Sequence, residues 1–271
     1  MAFWARLFVI IAFAGSLSLC PADHAVGAEI LRYAGATTLQ RDLMLDASHR
    51  FGVAHDVRFE LEGGNSGAGL KALGAGAIDL AGSGRFLTGK EKAAGLVEHL
   101  IGWDPLVVVV HATNTIENVS SADLRRMLLG TVRNWNQIGG RDLPLLQVAA
   151  PADSGVREAI EQHLLADQPI SSAAIVSLVV ADADKNVSFL HAGFTVTSLS
   201  MVDAARVKVV KVDGFMPSRQ AVAAGEYPLV KPLLLVTRGK AKGTLALFVN
   251  FAKSPEGQAI IAKKFIPLAD K

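Results

Sequence analysis

Serine, threonine and glycine recur in this sequence where apolar runs give way to helical patterns. Gly63-Gly64-Asn65-Ser66-Gly67-Ala68-Gly69 follows the alternating stretch 56–61 and precedes a helical pattern with Leu70, Leu73 and Ala77 on one face. Gly35-Ala36-Thr37-Thr38 stands between a strand expected over 30–34 and a helix expected over 39–51. Asp153-Ser154-Gly155 opens a helix expected over 156–165, and a further loop, Gly82-Ser83-Gly84, ends in Arg85. A helix start presents unpaired N–H groups and the positive end of the helix dipole, so a glycine-rich turn there is an anion site. Hydroxyls on Thr37, Thr38, Ser66 or Ser154 either cap the helix or touch a ligand. Capping explains any one of these turns without a ligand. Three strand-to-helix turns of this kind point to a small anion held by N–H and hydroxyl groups. Arg157 falls in a first helical turn, where a cation opposes the dipole. It therefore faces something negative, a ligand or an acidic side chain.

Other chemistries fit less well. Gly64-Asn65-Ser66-Gly67-Ala68 nearly reproduces the G-x-S-x-G nucleophile elbow, but the last glycine is Ala68 and nothing nominates a triad His and Asp. A serine hydrolase is thus a remote alternative, and no catalytic residue is assigned. Residues 84–90 fit G-x-x-x-x-G-K, yet Glu91 stands where a Mg²⁺-binding Ser or Thr must be, so the match is chance. The seven histidines are scattered and the single cysteine is Cys20, which leaves no metal-ligand spacing and no implied cofactor.

These turns need strands and helices to hold them. Residues 106–111 (LVVVVH) form a continuous apolar run, expected as a strand buried on both faces. Further strands are expected at 145–149, 194–199, 207–212 and 233–237. Ser120 or Ser121 caps a helix that Gly130 ends, and Thr88 caps a short charged one. Trp103, Trp135 and Tyr227 are read as hinge and core packing, and Asp79 and Asp104 as caps or strand-end turns. Strands alternating with helices give an α/β fold with mostly parallel sheets. Length suits one large domain or two lobes: 271 residues, 51% of them apolar, with a net charge of +2 and no basic patch for nucleic acid.

Residues 1–28 read as a secretory signal peptide, with Arg6 in the positive region, an apolar stretch over 7–19 and Val26-Gly27-Ala28 before the cut. Lipidation at Cys20 is the lesser alternative, because Leu19 is bulky where a small residue is wanted; an uncleaved anchor is another. Each version places the folded part outside the inner membrane.

In order along the chain, these stretches resemble the phosphate-type substrate-binding proteins of ABC transporters. Gly35-Ala36-Thr37-Thr38 resembles the family's first ligand loop, residues 63–73 its GGGSGxGxxAL, and residues 77–85 its DIAxSSR. Residues 130–140 (GTVRNWNQIGG) resemble GxxxNWxxIGG, residues 152–158 resemble GSGTRE, and residues 211–239 resemble the segment that returns to the first lobe. The resemblance implies a two-lobed periplasmic-binding-protein (type II, Venus flytrap) fold. Lobe one would comprise 29–112 and 213–271, and lobe two 113–212. It implies a periplasmic, monomeric, non-enzymatic protein that captures a small oxyanion, phosphate first, and delivers it to an inner-membrane permease. A sensor or accessory protein on the same fold, without a transport role, is the alternative. Carried over by position, Thr37, Thr38, Ser66 and Gly67 would contact the ligand from lobe one, with Ser83 and Arg85 nearby. Ser154 and Gly155, with Arg157, would do so from lobe two. Three positions depart from the pattern: Ala150 replaces an arginine, Val156 a threonine, and Gly84 a serine or acidic selector. Loss of an arginine–oxyanion pair costs about 2–3 kcal/mol, roughly 30- to 150-fold in affinity, unless Arg85 or Arg157 compensates.

Overall fold

The computed structural model describes residues 28–268 apart from Asp153. The expected signal segment up to Gly27, with Cys20, lies outside the described residues. The strands are Glu29–Gly35 (β1), Val57–Glu62 (β2), Leu80–Ser83 (β3), Leu96–His111 (β4), Asn118–Val119 (β5) and Leu146–Ala149 (β6). They continue with Ile175–Val176 (β7), Gly193–Ser198 (β8), Val207–Val212 (β9), Val230–Arg238 (β10) and Ile266–Pro267 (β11).

The sheet runs β2-β1-β3-β10-β4-β8-β6-β7 and curls so that each end carries its own layer of helices. The expected parallel pairing holds where β1 meets β2 and β3, and where β6 meets β7 and β8. Around the middle, β10 pairs antiparallel with both β3 and β4, and β4 pairs antiparallel with β8 and β9. Antiparallel pairing arises there because the long strands β4 and β10 carry the chain between the two halves.

The β4 strand is the main departure from expectation. It spans 16 residues and begins at Leu96, where only 106–111 reads as a strand. Residues 96–105 hold His99, Gly102, Asp104 and Pro105, which weaken a strand pattern. Pairing with β10 holds them extended in spite of this, with a register shift at Leu233/Leu234. At Pro105 the strand leaves one half and enters the other: 96–105 pairs with β10 and 106–111 with β8 and β9.

Each half has its own core. One is built from Leu31, Leu39, Phe51, Leu80, Leu233 and Phe248. The other contains Val108, Leu124, Trp135, Val156, Ile160 and Phe194. Trp135 is buried and donates its indole N–H to Ala192 O (2.9 Å), and Tyr227 donates its hydroxyl to Leu106 O (2.7 Å). Both rings pack in the core, as expected. Asp79 accepts from the Arg32 backbone N–H (2.9 Å) and guanidinium, tying β1 to the segment before β3. Asp104, in contrast, is not at a strand-end turn; it lies within β4 and is fully buried.

Two glycines are required by close approach. Gly35 has φ +148°, and a Cβ on it would lie 2.2 Å from Gly82 O. A Cβ on Gly82 would lie 1.9 Å from the hydroxyl of buried Tyr33. Overpacking of this kind costs about 1–3 kcal/mol, and Tyr33 is itself only 1% exposed. We therefore expect Gly82→Ala to lower the urea midpoint with an unchanged m-value, a shift read directly from equilibrium denaturation.

Candidate functional site

Asn65, one residue earlier than the hydroxyl expected to cap, is the N-cap of the Ser66–Gly74 helix and accepts from Ala68 N–H at 2.7 Å. The fully buried Ser66 hydroxyl is thereby released from capping and accepts instead from Gly84 N–H at 3.1 Å. Ser154 caps the Gly155–His163 helix, its Oγ accepting from Arg157 N–H at 3.2 Å. The two helix starts meet: a Cβ on Gly155 would lie 2.8 Å from Ser66 Oγ and 3.8 Å from Gly84 Cα. A Cβ on Gly67 would lie 3.3 Å from Glu158 Oε1. Ser66, Gly67, Gly84, Ser154 and Gly155 thus converge on one junction between the halves. Their backbone N–H groups and hydroxyls suit an oxyanion.

The Thr37 and Ser83 hydroxyls hold their loops in place. Thr37 Oγ1 donates to Gly64 O (2.8 Å) and accepts from Gly64 N–H (3.3 Å), clasping the first loop to the second. Thr38 is buried in the next position of the same turn. Ser83 Oγ donates to Arg85 O (2.7 Å) and accepts from Arg85 N–H (3.2 Å), which closes the 83–85 turn on itself.

Both candidate arginines are engaged by acidic side chains in this arrangement. The buried Arg85 guanidinium binds Glu91 through two nitrogens at 2.9 Å each, Phe86 O at 3.0 Å, and Glu158 through Nε at 3.2 Å. Glu158 sits on the other half, so Arg85 links the two. Phe86 and His163 make a second link, ring edge to face at 6.3 Å between centroids. Arg157 Nε is bound by Glu161 Oε1 at 2.9 Å one turn along its own helix, so the acidic-side-chain alternative describes it.

Hydrogen bonding to Arg85 pulls the Glu91 carboxyl down from its ordinary value of 4.5 to about 2, against the opposing cost of its burial. A depressed carboxyl stabilises the fold fully above its unfolded pKa, and the gain is lost as pH falls through the folded one. Stability from this group should therefore be complete above about pH 4.5 and disappear between there and pH 2. Chemical denaturation across that window, comparing wild type with Glu91→Gln, checks the sign: only the wild type carries this component. Thr88 and Glu91 also form a capping box on the Gly89–Ala93 helix. The G-x-x-x-x-G-K match is thus a capped turn, its glutamate engaged by Arg85.

One group at the junction was not singled out by sequence. Lys231 is 1% exposed, and its Nζ lies 2.7 Å from Asp104 Oδ2. It is paired in register with Asp104 across β10 and β4. Its signal is the one charge inside the apolar run 230–237, since a lysine is almost never fully buried without a partner. Away from the junction, a cavity of about 400 Å³ is lined by Trp103, Val222, Tyr227, Val230 and Ile266, beside the strands that connect the halves. Among the described residues no group of three or more His, Cys, Asp or Glu could hold a metal, and no helix is long and apolar enough to cross a membrane.

Two α/β lobes joined by long strands, with helix starts meeting between them, define a bilobed binding-protein fold. The family described as PBP superfamily domain matches residues 22–256, and the chain belongs to it. Phosphate-binding protein PstS of Bacillus subtilis is 27% identical over 272 residues, 95% of this chain and 88% of that one. The PstS of Borreliella burgdorferi is 21% identical over 253 residues, covering 87% and 88%. Among solved structures, a phosphate ABC transporter substrate-binding protein from Clostridium perfringens with bound phosphate superposes with a TM-score of 0.80. It is 27% identical, over 89% of this chain and all (100%) of that one. A phosphate transport receptor from Vibrio cholerae gives a TM-score of 0.79 at 24% identity over 88% of this chain and 100% of its own, a likeness of fold.

Proposed function

We propose that this chain is a periplasmic binding protein that captures a small oxyanion, phosphate first, and hands it to an ABC permease. The observation that carries the reading is the meeting of two capped helix starts, Ser66–Gly67 and Ser154–Gly155, at Gly84. The relatives named for phosphate support the choice of anion. In this reading Thr38, Ser66, Gly67, Ser154 and Gly155 face the ligand, while Thr37, Ser83, Arg85 and Arg157 hold the loops that present them. The protein acts by binding alone, as a monomer exported by its N-terminal segment. In this reading lobe one comprises 29–112 and 213–271, and lobe two 113–212. Capture and release are a hinge motion across β4 and β10.

Ala150 and Val156 favour a second reading, in which the same fold serves a sensor or accessory protein whose specificity has moved from phosphate. Isothermal titration with phosphate, arsenate, sulfate and molybdate separates the two. Phosphate bound more tightly than the others supports the first. Preference for another ligand supports the second, and silence for all four oxyanions defeats the oxyanion site itself.

A further inference from the structure

The lysine at the junction has no role in the reading above. A buried ion pair is weak support for stability, because desolvating two charges offsets their attraction. Lys231 and Asp104 therefore need another reason to stand in the strands that connect the lobes. Three observations supply one. Gly84 is the residue at which the helix starts meet, and a Cβ there would lie 3.1 Å from Lys231 Nζ. The ammonium thus borders the same point as Ser66 and Gly155. An ammonium has three donors, and its 2.7 Å contact with Asp104 Oδ2 takes one of them. Donors remain for another acceptor. Asp104 is itself fixed, its Oδ1 accepting from Ser198 Oγ at 2.6 Å, so the ammonium is held from behind.

We propose that Lys231 supplies the positive charge that binds the oxyanion, in place of the arginine that Ala150 has lost. Asp104 and Ser198 are its positioning residues, and Gly84 leaves room for the ammonium where a side chain would stand. The inference rests on the oxyanion reading and deepens it. It also sets a specificity: an ammonium is a compact point charge without the fork of a guanidinium, so recognition of anion shape passes to the helix-start N–H groups.

The test is titration of the purified protein with phosphate, arsenate, sulfate and molybdate, for wild type, Lys231→Arg, Lys231→Met and the double variant Lys231→Met/Asp104→Asn. The double variant removes both charges and so avoids a lone buried carboxylate; near-UV circular dichroism and thermal melting report its fold. Loss of a charge-assisted hydrogen bond predicts affinity about 10- to 150-fold weaker for Lys231→Met and for the folded double variant. Lys231→Arg should stay within about tenfold of wild type. Gly84→Ala, which keeps both charges but crowds the ammonium, should weaken binding by a smaller factor. A purely structural lysine predicts instead that the double variant, once folded, binds like wild type. That result, or Gly84→Ala and Lys231→Met both binding unchanged, overturns the assignment while leaving the oxyanion reading intact. A wild type that takes none of the four anions overturns both.

Discussion

Replacement of Arg85 by methionine is expected to destabilise the protein by about 3 kcal/mol or more at neutral pH, the range for removing one partner of a buried charge cluster. Arg85 is 7% exposed, and its guanidinium satisfies Glu91 from two nitrogens and Glu158 from a third. Methionine fills most of its volume but removes the positive charge that two partly buried carboxylates share. Like charges in one site raise the pKa of at least one member. The deficit should therefore shrink as pH falls toward 4, where protonation relieves the repulsion. Urea unfolding of wild type and Arg85→Met at pH 7 and pH 4 measures both parts. Arg85→Lys should recover only part of the loss, because an ammonium cannot span the fork that the two glutamates present. A loss below about 1 kcal/mol at pH 7 would place the cluster with surface pairs.

The second large effect is on binding. Gly155→Ala puts a methyl 2.8 Å from Ser66 Oγ, at the contact between the lobes. Ser66 can move away only by giving up its hydrogen bond from Gly84 N–H. Overpacking costs about 1–3 kcal/mol, and here it falls on the junction. Oxyanion affinity should drop about 5- to 150-fold. In the fold this clash is opposed by the entropic gain of alanine at a helical position, so thermal stability should change less than affinity. Calorimetry with a thermal melt on the same sample reads both. A loss of stability as large as the loss of affinity would mean that Gly155 serves folding alone.

The local chemistry of this site was legible in sequence to the extent that it is helix-start chemistry. Ser154, Thr88 and Ser120 cap as their positions predict. The Gly63–Gly69 turn opens a helix, and the aromatic rings of Trp135 and Tyr227 are core. What sequence spacing could not show depends on long-range pairing. Asn65 outcompetes Ser66 as cap because its side chain reaches Ala68 N–H, and the consequence, a hydroxyl turned to Gly84, crosses 18 residues of chain. Arg85 reads as a free cation beside an anion loop until Glu158, 73 residues away, is brought to it. Lys231 reads as an oddity in an apolar run until β10 aligns it with Asp104. Residues 96–105 read as broken by glycine and proline, and only pairing with β10 makes them a strand. In each case the missing term is a partner distant in sequence, which no local periodicity encodes.

One oxyanion is expected where the Ser66 and Gly155 helix starts meet beside Lys231. Crystals grown with arsenate, measured at the arsenic absorption edge, test it directly because the anomalous signal locates the anion without reference to the protein model. A single strong peak is expected within hydrogen-bond distance of the Ser66 and Gly155 backbone and of Lys231 Nζ. A peak held instead by other residues, or none at arsenate concentrations that saturate the protein in solution, would contradict it.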